Sequence, residues 1–390
     1  MAPSRIIVAR HATRRDSVDT AWRQSSPTPY DPPISANGAL EADALGRAIT
    51  AEVAAVLDSI RSSPASTPAG PFSDSSTLLS SSPGLTAASS ASSVSSPRLL
   101  PSPASFPYPS STSSSPVPPT RPLNVYIHTS PFLRCAMTAS HVADQLTSSL
   151  PSVSVKIRID SFLGEWLTPD YFANSCPPPD DGHSSLAASS TSWLLSHGAQ
   201  PYLDLAWPLD AFGRSGEYGE RWRSMYARFS SGLSNLISSY SGPATADSVV
   251  VLVTHGAGSN ALVGAISGKP MLTDFGLASL SVAVPHKCGV EVDYSSNYGY
   301  GGEKRDRAGY GVLPHDDIGK AVDATNQMIG KWDLTRIADD AHLSLLSDET
   351  QPRRDSFPKP DLSAPKFELR TSRGSKSYNL DEYGFYENFV

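Results

Sequence analysis

Two imidazoles and an arginine stand where apolar runs end in this 390-residue chain. Arg10 and His11 follow Ile6-Ile7-Val8-Ala9, and His255 follows Val249-Val250-Val251-Leu252-Val253-Thr254. Both runs are short and rich in β-branched residues, the pattern of strands buried in a parallel sheet. Polar side chains at the carboxyl ends of such strands point into the ligand crevice. Either histidine alone reads as an ordinary strand-end residue; together with the arginines they read as a site. Arg10, Arg14 and Arg134 are suited to hold the oxygens of a phosphoryl group, because a guanidinium forks onto two oxygens at once. Arg134 is expected in a first helical turn, where free N–H groups and the helix dipole favour an anion. His11 is suited to attack phosphorus, since an imidazole is largely neutral and nucleophilic near pH 7. His255 would carry a proton and stabilise charge on the transferring group.

The elements that must position these groups alternate strand and helix. After the first strand, Ala36 to Ile60 repeats Leu40, Leu45, Ile49, Val53, Val56 and Ile60 at helical intervals, with Ser35 as N-cap. A strand over Asn124 to His128 runs into Thr129-Ser130-Pro131, which reads as a cap with Pro at the first helical position. The helix that follows carries Leu133, Met137, Val142 and Leu146, and Val155 to Ile159 forms another strand. Tyr218 to Tyr240 has the clearest helical stripe, assigned to core packing. Gly256-Ala257-Gly258 leads into a helix over Ser259 to Ile266, and Ser279 to Val284 closes the sheet. Such alternation implies a parallel-rich sheet with helices on both faces.

The rest of the chain bounds the answer. Ser and Pro fill more than half of residues 62–120, a stretch too poor in apolar side chains to offset chain entropy, so a disordered insertion is expected there. Cys176 to Gln200 reads as loop-like, residues 286–319 as a mobile loop, and residues 346–390 as a polar tail in which Lys366 to Arg370 has strand alternation and Tyr383 to Val390 a docking end piece. Residues 1–61 with 121–345 then make one domain. The net charge of −7 argues against a general nucleic-acid surface. Three cysteines, Cys135, Cys176 and Cys288, lack zinc or disulfide spacing and fit a reducing compartment. Without a signal-peptide core or a membrane-length apolar run, a soluble cytoplasmic or nuclear protein is expected.

These residues add up to a resemblance. Val8-Ala9-Arg10-His11-Ala12 resembles the RHG signature of the histidine phosphatase (phosphoglycerate-mutase-like) superfamily. Ser130 to Ala139 resembles its SPxxRxxxTA segment, Thr254-His255-Gly256 its late His motif, and Ile34 to Gly38 its LSxxG helix start. Arg14, Asp16, Trp22, Tyr30-Asp31-Pro32-Pro33 and Gly164-Glu165-Trp166 are most similar to the Sts-like and ecdysteroid-phosphate-phosphatase-like branch. The resemblance implies a three-layer α/β/α sandwich with a mostly parallel sheet and a phosphomonoesterase needing no metal or cofactor. His11 would become phosphohistidine, Arg10, Arg14, Arg134 and His255 would line the phosphate pocket, and Glu165 would protonate the leaving oxygen. Trp166 is expected to bury that carboxyl and raise its pKa. The substrate would be a phosphorylated small molecule or phosphoprotein, with no nucleic acid and no membrane as partner.

One residue departs from the signature: Ala12 stands where the family has Gly. If the position needs positive φ or close approach to phosphate, its Cβ costs about 1–2 kcal/mol, and Ala12→Gly should leave turnover unchanged or raise it. Ala12 and the long insertion also suit a second reading, a weakly active or inactive scaffold like the tau-type subunit of the RNA polymerase III factor TFIIIC. A phosphoglycerate-type mutase is disfavoured, because Thr13-Arg14-Arg15 does not match RHGxSxxN.

Overall fold

The structure is a computed structural model that describes residues 2–62, 122–172, 176–177, 182–241, 247–268, 271–286 and 332–346, with the backbone of 366–371 and 374–379. Except for the last turn of one helix, these residues belong to a single compact unit, Met1–Ile60 with Arg121–Val390. The expected insertion at 62–120 and loop at 286–319 lie outside the described residues, apart from Ser62 and His286, as does most of the tail.

In chain order the elements are β1 (Arg5–Arg10), α1 (Arg15–Val18), α2 (Trp22–Ser25), α3 (Ala36–Ser62), β2 (Leu123–Thr129), α4 (Leu133–Ser149) and β3 (Ser154–Ile159). They continue with α5 (Pro169–Phe172), α6 (Gly182–Ser196), α7 (Trp222–Ser239), β4 (Asp247–Thr254), α8 (Gly256–Ser267), β5 (Leu280–Pro285), β6 (Trp332–Asp339), β7 (Lys366–Thr371) and β8 (Gly374–Asn379). Six strands form one sheet in the order β3-β2-β4-β1-β5-β6. Neighbours among the first four pair parallel, while β5 runs antiparallel to β1 and β6 antiparallel to β5. Helices cover both faces, giving a three-layer α/β/α sandwich with a mostly parallel sheet.

The period-two geometry of β1 explains the layers. Ile7 and Ala9 face a core with Leu45, Ile49 and Val53 of α3 and Ala139, Val142 and Leu146 of α4. Ile6 and Val8 face the opposite core, with Phe229, Leu233 and Leu236 of α7 and Leu262 and Ile266 of α8. Successive side chains of a strand point to opposite faces, so a central strand buried on both sides must be apolar throughout.

Several expectations need correction. The Ser279 to Val284 segment does form a strand, but it does not close the sheet; β6 lies outside it. Gly182–Ser196, read as loop, is helical, and buries Leu186, Ser190 and Leu194 at intervals of four. Its Ser- and Ala-rich composition hides that stripe, because a fully buried Ser190, donating to the Pro131 carbonyl, replaces a large apolar residue. α7 starts at Trp222, later than Tyr218, and α8 starts at Gly256, with His255 at its N-cap. In α3, Leu40 is exposed and Glu41 wholly buried, the reverse of a hydrophobicity reading. β7 covers the expected Lys366 to Arg370 strand and pairs antiparallel with β8 in a separate ladder; Tyr383 to Val390 lies outside the described residues.

Candidate active site

The parallel pairing of β1 with β4 sets Arg10 opposite Thr254. The next residue of each strand, His11 and His255, therefore leaves the sheet at the same edge, with ring centroids 5.3 Å apart. β2 ends one strand further over, and the short turn after it starts α4 so that Arg134 enters the same space. Its Nη2 lies 3.1 Å from Glu165 Oε2 and 3.2 Å from His255 Nδ1. His11, Glu165 and His255 each bring one nitrogen or oxygen within 4.8 Å of the others. The motif segments around residues 10, 134 and 255 thus meet at one crevice, and the helix-start segment at residues 34–38 supports it from behind.

His11 is 2% exposed and its Nδ1 sits 2.8 Å from the Ala12 carbonyl oxygen. A carbonyl only accepts, so Nδ1 carries the proton and Nε2 keeps its lone pair. Burial, followed by the charges of Arg134, His255 and Arg10, holds the ring well below the usual imidazole range. It is therefore neutral at pH 7, the form a nucleophile needs. Burial likewise drops His255 to about 4, with Glu165 opposing and Arg134 adding to the fall. Placing the His255 proton on Nδ1 lets it donate to Glu165 Oε2 at 3.1 Å while Nε2 accepts from the Ser130 hydroxyl at 2.9 Å.

Three guanidiniums gather near Glu165, whose charge acts on Arg10, Arg14 and Arg134. Arg10 donates from Nη1 to the Phe275 carbonyl, and its buried Nε has no hydrogen-bond partner. Arg134 is fully buried, and its Nε and Nη1 also lack one. Buried donors left this way are rare and costly, and they are free to donate to an anion. Arg14 is fixed by Asp16, 3.0 Å from its Nε, while the same carboxylate accepts from Arg23 Nε at 2.7 Å. Burial lowers Arg14 to about 10, leaving it charged at neutral pH. A set of two imidazoles and a carboxylate is compact enough for a cation, but three neighbouring guanidiniums make the field one for an anion.

Glu165 corrects the expectation of a raised pKa. Burial does push its carboxyl up, but His255 and Arg134 outweigh burial and the net direction is down. Arg134, at 3.1 Å and permanently charged, is the cause we stand on. The Trp166 indole is not what tunes it, since it donates to the Glu220 carbonyl and packs edge-on against Trp222; the Trp166 backbone N–H, donating to Glu165 Oε1 at 3.1 Å, adds to the fall.

Ala12 is the second correction. Among the described non-glycine residues only Ala278 and Ala338 have positive φ, so Ala12 carries no backbone strain. Its methyl lies fully buried in the α3/α4 core, and its N–H donates to Thr138 Oγ1 at 3.2 Å. Ala12→Gly is therefore expected to lose about 1 kcal/mol of stability, from the lost methyl and the added chain entropy, without raising turnover. Chemical denaturation and initial rates check this; a faster, equally stable variant would show that the methyl obstructs the substrate.

The supporting residues were harder to see in advance. Ser130 precedes Pro131 as a helix cap would, yet the N-cap of α4 is Phe132 and Ser130 bonds His255. The capping oxygen comes from Asp31, which accepts the Leu133 N–H at 2.9 Å across 102 residues. Glu41 accepts both the Thr13 N–H and the Thr13 hydroxyl at 2.8 Å, holding the turn after His11. Gly38 lets α3 reach that turn: a Cβ there would lie 2.2 Å from the Thr13 carbonyl oxygen. The four-residue signal Ser35-Ala36-Asn37-Gly38 contained this contact, with Ser35 Oγ accepting the Gly38 N–H at 2.9 Å as expected of an N-cap.

No family model matches the sequence, and no curated protein matches it. Among solved structures, the chain is similar to a mycobacterial glucosyl-3-phosphoglycerate phosphatase at 19% identity, covering 73% of this chain and 91% of that one, with a TM-score of 0.33. It is similar to the ecdysone phosphate phosphatase of Bombix mori, solved with tungstate, at 13% identity, 72% and 88% coverage and a TM-score of 0.39. A phosphoserine phosphatase mutant from Entamoeba histolytica, solved with phosphoserine, matches at 10% identity, 87% and 98% coverage and a TM-score of 0.33. Values this low leave the functional reading to the site itself. Among the described residues no helix is long and apolar enough to cross a membrane.

Proposed function

We propose that this chain is a metal-independent phosphomonoesterase that works through a phosphohistidine on His11. The observation that carries the reading is the His11 ring: its Nδ1 is tied to the Ala12 carbonyl, leaving Nε2 as a neutral nucleophile in the field of Arg10 and Arg134. The guanidiniums hold the three peripheral oxygens of the phosphoryl group and neutralise charge as it spreads over them. Nε2 attacks phosphorus, the P–N bond forms, and the ester P–O bond breaks. The ring gains positive charge, which the Nδ1–H···O bond to Ala12 stabilises.

Glu165 donates the proton to the leaving oxygen. An anionic ester beside this carboxylate raises its proton affinity, so the group ionised in the free pocket is protonated in the complex. In the second half a water attacks phosphorus, Glu165 takes its proton, and the P–N bond breaks to release orthophosphate and the neutral imidazole. When Glu165 turns to the leaving oxygen, the Nδ1–H of His255 is released to donate to a phosphoryl oxygen, while Ser130 keeps hold of Nε2. The substrate is a phosphorylated small molecule or a phosphoprotein. Of the two features that suit the scaffold reading, Ala12 imposes no backbone strain and the insertion lies outside the described residues.

Rapid acid-free quenching during hydrolysis of a labelled aryl phosphate in EDTA is the test. Undiminished turnover with the chelator is expected, with base-stable, acid-labile label recovered on the peptide containing His11. Label on another residue, or turnover abolished by EDTA and restored by a divalent metal, would overturn the mechanism.

A further inference from the structure

A second carboxylate stands against Arg134, on the side away from Glu165. Asp31 is 4% exposed, its Oδ1 accepts the Leu133 N–H at 2.9 Å, and the same oxygen lies 3.8 Å from Arg134 Nη1. That Nη1 has no hydrogen-bond partner, so Asp31 attracts it without saturating it. Arg134 is thus shared between Glu165, Asp31 and whatever anion the pocket receives.

Two jobs are combined in this carboxylate. As a cap it fixes the first turn of α4 and so the direction of Arg134; as a charge it competes for the guanidinium that the anion needs. We propose that Asp31 is a positioning residue whose negative charge, acting through Arg134, weakens the pocket's hold on phosphate and so eases product release. This rests on the phosphate-pocket reading above. A cap alone needs no charge, since Asn and Ser cap as well as Asp. A carboxylate buried beside an anion site opposes every anion that enters.

Other groups facing Asp31 are few. Arg134 and the Cys135 thiol come from α4, with the Leu133 N–H, and the phenol of Tyr30 is adjacent in sequence. Burial pushes the Asp31 carboxyl up to about 6, against Arg134 and the Leu133 N–H. It is therefore charged at pH 8 and largely neutral at pH 5, and its effect on anion affinity must fade on acidification.

Asp31→Asn keeps a capping oxygen and removes the charge. Calorimetric titration with inorganic phosphate, comparing variant and native protein at the same pH, cancels the titration of phosphate itself and of His11 and His255. At pH 8 the variant should bind phosphate about tenfold tighter, a change of about 1.4 kcal/mol, and at pH 5 the two should bind alike. A melting temperature close to native confirms that the cap survives; if Asn does not fold, Asp31→Ser is read in the same way. Equal or weaker binding by the variant at pH 8, or a ratio unchanged between pH 8 and 5, overturns the role of the charge. Native protein that binds no phosphate would instead overturn the pocket reading and this inference with it.

Discussion

His11→Ala should lower kcat/KM for an aryl phosphate by roughly 10⁵-fold, about 7 kcal/mol of transition-state stabilisation, while the protein still binds orthophosphate. The two parts separate because different residues supply them. The nucleophile is a single imidazole nitrogen, and no other described side chain replaces it: His255 is held by Ser130 and Glu165, and burial keeps the Cys135 thiol fully protonated. Binding comes from Arg10, Arg14 and Arg134, which the substitution leaves in place. The variant should fold, since the buried ring is neutral and its removal strands only the Ala12 carbonyl, at a cost of about 1–3 kcal/mol. More than a tenth of native turnover in the variant, at native phosphate affinity, would remove His11 from the chemistry.

The second large effect is on Glu165. Glu165→Gln keeps the shape and one acceptor oxygen but cannot give or take a proton. With an alkyl ester, whose leaving oxygen must be protonated, the rate should fall by about 10³-fold, within the usual range for general acid–base catalysis. With a nitrophenyl ester, which leaves as an anion, the first step should fall much less, leaving dephosphorylation rate-limiting. Transient kinetics would then show a burst of nitrophenol followed by slow turnover. Equal losses for both leaving groups without a burst would reduce Glu165 to a counter-charge for Arg134. Because Arg134 and His255 together favour the charged form of this carboxyl over burial, Glu165→Gln should also lower the melting temperature, so the leaving-group dependence and the burst, not stability, decide the role.

The candidate site residues could be read from the sequence because strand ends advertise them. Arg10 and His11 follow an apolar run, His255 follows another, and the parallel pairing of those runs then aligns the two histidines without further instruction. Arg134, read from its place at a helix start, and Glu165, implied by the resemblance, do meet, at 3.1 Å. What spacing could not show was the sign of the Glu165 shift. A neighbouring tryptophan suggested desolvation, whereas the contact that decides the matter joins residues 31 positions apart. The same limit hid Ser130, Asp31 and Glu41, each of which satisfies a local rule for caps or helices and does something else across the fold. α6 escaped for a different reason: its buried face is small and hydroxylic, and hydroxyls are buried only where a carbonyl such as that of Pro131 waits for them.

Periodicity and strand-end chemistry, both properties of neighbours in the chain, were enough to set helices on both faces of the sheet, the apolar central strands and the placing of His11 and His255 at neighbouring strand ends. Protonation states, the partners of Arg134 and the harmlessness of Ala12 were decided by tertiary structure alone. Each depends on desolvation or on a charge within about 4 Å, and those quantities exist only after distant segments have packed together.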